Sequence, residues 1–170
     1  KSRVENETQL REQVDFIVRT YKQPALIEEF ISGSEYTVAL IGNGDDVEVF
    51  PPVQIKIDGK LKLGDMFYTF NRIQSDRLEY ICPAKISAGQ KEELMELSKR
   101  TYLAVECLDF GRVDFRIDGK GRPYVLEINP LHSLSTEDVF MTIAKHLGIG
   151  YKDMIDKIMK AALKRHGLIK

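Results

Sequence analysis

Two alternating runs, GRVDFRID and RPYVLEINP, meet at a DGKG turn, and nothing else in this chain constrains its fold as tightly. Successive side chains on a strand point to opposite faces, and glycine beside aspartate between two β-rich runs marks a hairpin. On the first strand Val113, Phe115 and Ile117 form a core side, leaving Arg112, Asp114 and Arg116 on the other. On the second, Tyr124, Leu126 and Ile128 are the apolar set, with Val125, Glu127 and Asn129 opposite. Symmetric closure of the turn predicts Asp114 facing Glu127 and Arg112 facing Asn129, all on one side of the sheet.

Two carboxylates directly across a ladder have Cβ atoms about 4.5–5.5 Å apart and repel. A hard divalent cation offsets that repulsion. Mg2+ takes oxygen ligands, is held by one or two carboxylates, and completes its shell with waters and substrate phosphates. Asn129 adds a third oxygen, and the planar fork of Arg112 suits phosphate oxygens or a developing anion. The same residues also fit a solvent-facing hairpin in which Arg112 and Arg116 pair with Asp114 and Glu127 as surface ions. The apolar run YVLEINP favours the metal, because it reads as a strand near the middle of a sheet.

Around this hairpin the pattern alternates between helices and strands. Leu10, Val14, Ile17, Val18 and Tyr21 recur at helical spacing, with Asn6 or Thr8 as cap and an end near Lys22. QPALIEEFI then reads as a strand opened after Pro24, SGSEYTVALIGNG as another, and VEVFPPVQIKIDGK as a strand pair broken by Pro51 and Pro52. LKLGDMFYTFNRIQSDRLEYICPAKIS lacks a period and predicts a long loop with short strands. A helix capped by Ser87 comes next, through Leu94, Leu97, Thr101, Tyr102 and Val105. Two more close the chain: STEDVFMTIAKHLG, opened by an S-x-x-D or T-x-D box and stopped by Gly148, and GYKDMIDKIMKAALKRHG, stopped by Gly167. Hairpin strands and grouped helices predict an α+β fold with a mainly antiparallel sheet.

With 170 residues there is room for one domain or two small lobes. The balance of 25 Lys+Arg against 26 Asp+Glu argues against a nucleic-acid binder. Cys82 and Cys107 sit at no metal-site spacing and predict reduced, buried thiols. No apolar run approaches the ~20 residues of a membrane span, and the charged start has no signal-peptide core, so a cytoplasmic protein without membrane partners is expected.

RVDFRIDGKGRPYVLEINP resembles the metal-binding hairpin of ATP-grasp ligases, most closely the D-alanine-D-alanine ligase branch. The likeness extends to ALIEEFISGSEYTVALIG, EYICPAKIS and IAKHLGIGYKDMIDKIMKAAL, and so spans essentially the whole chain. It implies an ATP-grasp C-terminal lobe and an ATP- and Mg2+-dependent carboxylate-amine ligase working through an acyl phosphate, with one or two Mg2+ ions and Mn2+ able to replace them. By position it implies that Glu28 and the backbone of Glu29, Phe30 and Ile31 border the adenine, with Glu35 on the ribose hydroxyls. Phe67 would cover the base, Leu126 would pack on it, and Arg72 would take the place of a phosphate-contacting lysine. Asp114, Glu127 and Asn129 match the magnesium ligands, and Arg112 the arginine that stabilises the phosphorylated intermediate. A homodimer acting on small amino-acid or peptide-like substrates is implied as well.

Where the family's substrate loop commonly reads N-x-x-P-G-M-T, this chain reads NPLHSLSTED. His132 replaces the proline and Ser133 the glycine, and Asp138 stands where a serine helps hold the acceptor's carboxylate. An aspartate there repels a carboxylate, so His132, Ser133 and Asp138 are expected to border an acceptor amine that lacks the carboxylate or carries extra positive charge. KSRVENETQL resembles the segment just after the family's phosphate loop, so the expected unit is one ATP-grasp C-terminal domain over 1–170, without the N-terminal substrate lobe and phosphate-loop region, and inactive or nearly so by itself. The non-catalytic alternative is an ATP-grasp module that binds nucleotide and metal without turnover.

Overall fold

A computed structural model describes residues 3–67 and 77–170 of the chain. It divides into two compact units, Lys1–Phe30 and Ile31–Lys170. The first carries helix α1 (Glu7–Tyr21), which starts where Asn6 accepts a hydrogen bond from the Gln9 amide at 3.0 Å and ends at Lys22 in the left-handed region. Its second half leaves Phe16, Val18 and Tyr21 exposed. The stretch QPALIEEFI does not form the expected strand: residues 24–32 are assigned to no ladder. Alternation sets a side-chain period, but a strand also requires a neighbouring edge to accept its hydrogen bonds.

The second unit is built on a six-stranded sheet in which every pairing is antiparallel. Its strands are β1 (Gly33–Ile41), β2 (Glu48–Val49), β3 (Val53–Ile57), β4 (Leu78–Ile81), β5 (Phe110–Asp118) and β6 (Pro123–Asn129). The order is β4-β3-β1-β5-β6, with the short β2 paired to β1. Helices α2 (Ala88–Ala104), α3 (Val139–Leu147) and α4 (Tyr151–Arg165) complete the α+β architecture. Ser87 caps α2 through a capping box with Gln90. Among the described residues no helix is long and apolar enough to cross a membrane.

Alternation along β1 and β5 separates two cores. Tyr36, Val38 and Leu40 join Val113, Phe115 and Ile117 against Leu94 and Tyr102 of α2. On the other face, Ala39 and Ile41 lie under Phe140, Met141 and Ile143 of α3 and Met154 and Ile158 of α4. That second face changes character along β1, from this apolar end through Thr37 to the buried Glu35. The apolar stripe of the helices covers the Ala39–Ile41 end of this face, and beyond it the Asp114 carboxylate lies on Thr37. At the polar end the strands approach so closely that a Cβ on Gly33 would collide with the carbonyl of Ile117.

Three expectations need correction. YVLEINP is not central: β6 ends the strand order, and its Val125 and Leu126 are 41% and 47% exposed. An apolar run alone does not say whether both edges of a strand are paired. Helix α3 does not start from a Ser135 box; it begins at Val139, with Asp138 itself as the cap. Cys107 is buried as expected, whereas Cys82 is only partly so, and both are free thiols.

Candidate active site

The predicted pairing of the hairpin holds at the end that carries Asp114 and Glu127 and fails at its turn. Arg112 pairs with Asn129 and Asp114 with Glu127, but nearer the turn Phe115 pairs with Val125, Arg116 with Tyr124 and Ile117 with Pro123. The loop closes on residues 119–121, with Asp118 accepting from the amides of Lys120 and Arg122 at 2.8 and 2.9 Å and Gly121 at φ 83°. That is one residue tighter than the four-residue loop, residues 119–122, that the predicted pairing requires. A β-bulge between Asp114 and Phe115 restores the count by leaving Leu126 unpaired. Without it Glu127 would lie opposite Val113, on the core face. The bulge therefore delivers the second carboxylate to the first, and it also takes Leu126 out of the apolar set to which parity assigned it.

Asp114 is the hub of the cluster. Its Oδ1 accepts from the Thr37 hydroxyl at 2.6 Å, and its Oδ2 from Arg112 at 2.7 Å and the Asn129 amide at 3.0 Å. Asn129 Nδ2 also donates to Glu127 Oε1 at 3.1 Å, so one amide group bridges both carboxylates. The oxygen and nitrogen of an asparagine amide exchange places on a half-turn. Turning Asn129 would present a third oxygen at the point where its nitrogen now joins Asp114 and Glu127. Two carboxylates and one carbonyl suit a hard cation, so this donor set fits Mg2+. Among the described residues no three of His, Cys, Asp and Glu come together, so the amide is needed to complete it.

Sequence reasoning misses Thr37, although it is fully buried and pairs in register with Asp114. It shares strand parity with Glu35, and these two polar side chains on one side of a mainly apolar strand were the available signal. Arg112 and Asp114 do form the ion pair expected of a plain surface hairpin, but with side chains only 12% and 15% exposed. Burial lowers the Arg112 pKa, and the charge and hydrogen bond of Asp114 outweigh it, so the guanidinium is held above its ordinary value. Arg116 does not pair with Glu127. It is buried and bonds to Glu35 at 3.1 Å, directly across on β1, and to the carbonyls of Gly33, Gly64 and Met66 at 2.8–3.0 Å. The carboxylate expected on a ribose thus already has a buried cation beside it.

His132, Ser133 and Asp138 occupy the loop between β6 and α3. His132 Nε2 is 3.0 Å from Arg112 and 2.8 Å from Asp138, whose Oδ1 also caps the Val139 amide at 2.7 Å. Ser133 is exposed, and its Oγ accepts from the Ser135 amide at 3.3 Å. Burial raises the pKa of Asp138, but hydrogen bonds from His132 and the Val139 amide prevail and hold it below the ordinary carboxylate value. A depressed folded-state pKa contributes stability that is present above about pH 3.9 and lost as pH falls through the folded value. Asp138→Asn is therefore expected to flatten the acid side of the stability curve, followed by urea unfolding below pH 5, about one unit above the ordinary aspartate pKa. Unchanged curvature would contradict this account of the cap.

Phe67 is partly buried in the loop after β3, whereas Arg72 lies outside the described residues. Glu28, Glu29 and Phe30 belong to the first unit, where the Arg3 guanidinium lies 4.5 Å from the Phe30 ring centre; Ile31 begins the second. The family described as D-ala D-ala ligase C-terminus matches residues 1–160. The chain belongs to this family. A D-alanine--D-alanine ligase of Vesicomyosocius okutanii is 31% identical over 93% of this chain and 50% of its own length. A Sinorhizobium fredii protein described as uncharacterized protein y4sG is 36% identical over 96% of this chain and 48% of its own. The chain thus spans about half the length of the curated relatives it matches.

The fold is shared with solved structures of two ligases. A D-alanine--D-alanine ligase from Bacillus anthracis complexed with ATP superposes with a TM-score of 0.73 at 23% identity, covering 95% of this chain and 48% of that one. The VanG D-Ala:D-Ser ligase from Enterococcus faecalis gives 0.70 at 20% identity, covering 92% of this chain and 43% of that one.

Proposed function

We propose that this chain is the C-terminal, nucleotide-facing part of a cytoplasmic ATP-dependent carboxylate-amine ligase. One observation carries the reading: the Asn129 amide lies 3.0 and 3.1 Å from oxygens of Asp114 and Glu127, beside an Arg112 already bonded to Asp114. Two carboxylates kept this close on a sheet face are costly without a counter-charge. Mg2+ held by Asp114, Glu127 and Asn129 would neutralise phosphate charge there. In the proposed reaction a substrate carboxylate oxygen attacks the γ-phosphorus of ATP and the bond to ADP breaks. The amine then attacks the acyl carbon, phosphate leaves with the C–O bond pair, and the amine loses a proton. Arg112 stabilises the anionic charge that builds up in both steps.

Within the second unit the adenine would meet Ile31, Phe67 and Leu126, and the ribose would be held by Glu35. The Arg116 guanidinium lies 3.1 Å from Glu35 Oε1, beside the oxygens to which ribose hydroxyls would donate. For the acceptor, Asp138 matters most. Its carboxylate already fills the anion position at the N-terminus of α3, so an acceptor carboxylate would meet like charge there. An amine without a carboxylate at that point, or with added positive charge, fits.

The test is phosphate release by the full-length protein with ATP, Mg2+ and a panel of amino acids and amines. Release with at least one pair supports the ligase; none with any pair favours a module that binds nucleotide without turnover. Asp138→Ser is expected to shift the preferred acceptor towards carboxylate-bearing amines, and an identical acceptor ranking would overturn the specificity argument.

A further inference from the structure

One nitrogen of His132 faces opposite demands. Nε2 stands 3.0 Å from an Nη1 of Arg112 and 2.8 Å from Oδ1 of Asp138. A neutral imidazole nitrogen either donates or accepts. With its proton on Nε2 the ring donates to Asp138 and meets Arg112 donor to donor. With the proton on Nδ1 it accepts from Arg112 and meets Asp138 lone pair to lone pair. A protonated ring serves Asp138 and repels the guanidinium.

None of these states satisfies both neighbours, and the ring is held between them. Its side chain is 10% exposed and packs 6.0 Å from the fully buried ring of Phe140. Asp138 is fastened by the Val139 amide and Arg112 by Asp114, each at 2.7 Å. Arg112 also carries a buried Nε–H with no hydrogen-bond partner among the described residues. An unsatisfied buried donor is costly, and it gains most when an anion arrives to accept from it.

We propose that His132 and Asp138 are positioning residues for Arg112: they fix the guanidinium through Nη1 while leaving its hydrogen-bonding capacity incomplete, so that an anionic oxygen on a bound substrate completes it. What that anion is rests on the ligase reading above; the positioning rests on the three side chains alone. The pair arises from local departures, since a histidine and an aspartate stand where the family's loop commonly carries proline and serine. The departure that narrows the acceptor would thus also set the arginine that serves the reaction.

The test compares His132→Ala with His132→Gln in the full-length protein. The glutamine amide offers an acceptor to Arg112 and a donor to Asp138 at once, and it keeps bulk against Phe140. The 15N heteronuclear NOE of the Arg112 Nε–H is expected to report an ordered side chain in wild type and His132→Gln, and a mobile one in His132→Ala. In phosphate release, His132→Ala should lower kcat by about a hundredfold, as expected for a small misplacement of a positioned group, with little change in KM for ATP. His132→Gln should recover most of that loss. An Arg112 signal as ordered in His132→Ala as in wild type would overturn the proposal, as would a raised KM with kcat intact. If wild type turns over no substrate pair, the ligase reading falls while the NOE comparison still decides the positioning.

Discussion

Glu127→Gln is expected to lower ATP-dependent phosphate release by the full-length protein about a hundredfold or more, the upper range seen even for residues that only support metal ligands. Thermal stability without metal should stay the same or rise slightly. The two effects have one cause. Glu127 is exposed, and its side chain accepts the 3.1 Å hydrogen bond from Asn129, which a glutamine oxygen can still accept. The substitution removes a charge placed directly across the ladder from Asp114, which relieves repulsion in the empty site. With Mg2+ and ATP present, that same charge is what the cation would use. Comparing melting temperature with and without Mg2+ and ATP separates the terms: wild type should gain stability from the pair by mass action and the variant much less. Equal turnover in the two proteins would remove Glu127 from the metal site.

The largest loss of stability is expected at Arg116. Arg116→Met should cost about 3–5 kcal/mol, the range for breaking a buried ion pair from one side. At about 2–4 °C per kcal/mol for a protein of this size, the melting temperature should fall by roughly 6 to 20 °C. Arg116 and Glu35 are 2% and 5% exposed and face each other in register across β1 and β5. Methionine keeps much of the bulk but strips Glu35 of its cation and releases three carbonyls that the guanidinium holds. Glu35→Leu with Arg116→Met should recover a large part of the loss, because removing both charges also removes their desolvation cost. Recovery should be incomplete, since the Gly33, Gly64 and Met66 carbonyls lose the guanidinium in either case, although Gly64 still accepts from the Gly33 amide at 2.9 Å. Chemical denaturation of the two variants checks both statements, and a single substitution costing under about 1 kcal/mol would place the pair among ordinary surface ions.

Much of the fold obeys short-range rules. Asn6, Ser87 and Gly148 mark helix ends where capping chemistry requires. The alternation of Val113, Phe115 and Ile117 picks the core face, because burial selects every second side chain. The strand expected over QPALIEEFI fails, as does the central placement of YVLEINP, for a shared reason. Extended conformation is a local preference, but whether an edge is paired is settled by what lies beside it.

At the site, the residue types and their side of the sheet were legible from parity and from the family resemblance: Arg112, Asp114, Glu127 and Asn129 do converge. Their convergence has a different origin from the one expected. A tighter turn and a bulge at Leu126 each shift the register by one residue, and the shifts cancel at Asp114. Thr37 under Asp114, Arg116 beneath Glu35 and His132 between Arg112 and Asp138 join residues 77, 81, and 20 and 6 positions apart. Composition and period determine by themselves which side chains face a core and where helices stop, because those depend on neighbours within a turn or a pleat. Only the tertiary structure decides which charges share a pocket and which donor stays unfilled, because hydrogen bonds and ion pairs depend on ångström distances between segments that the chain brings together from afar.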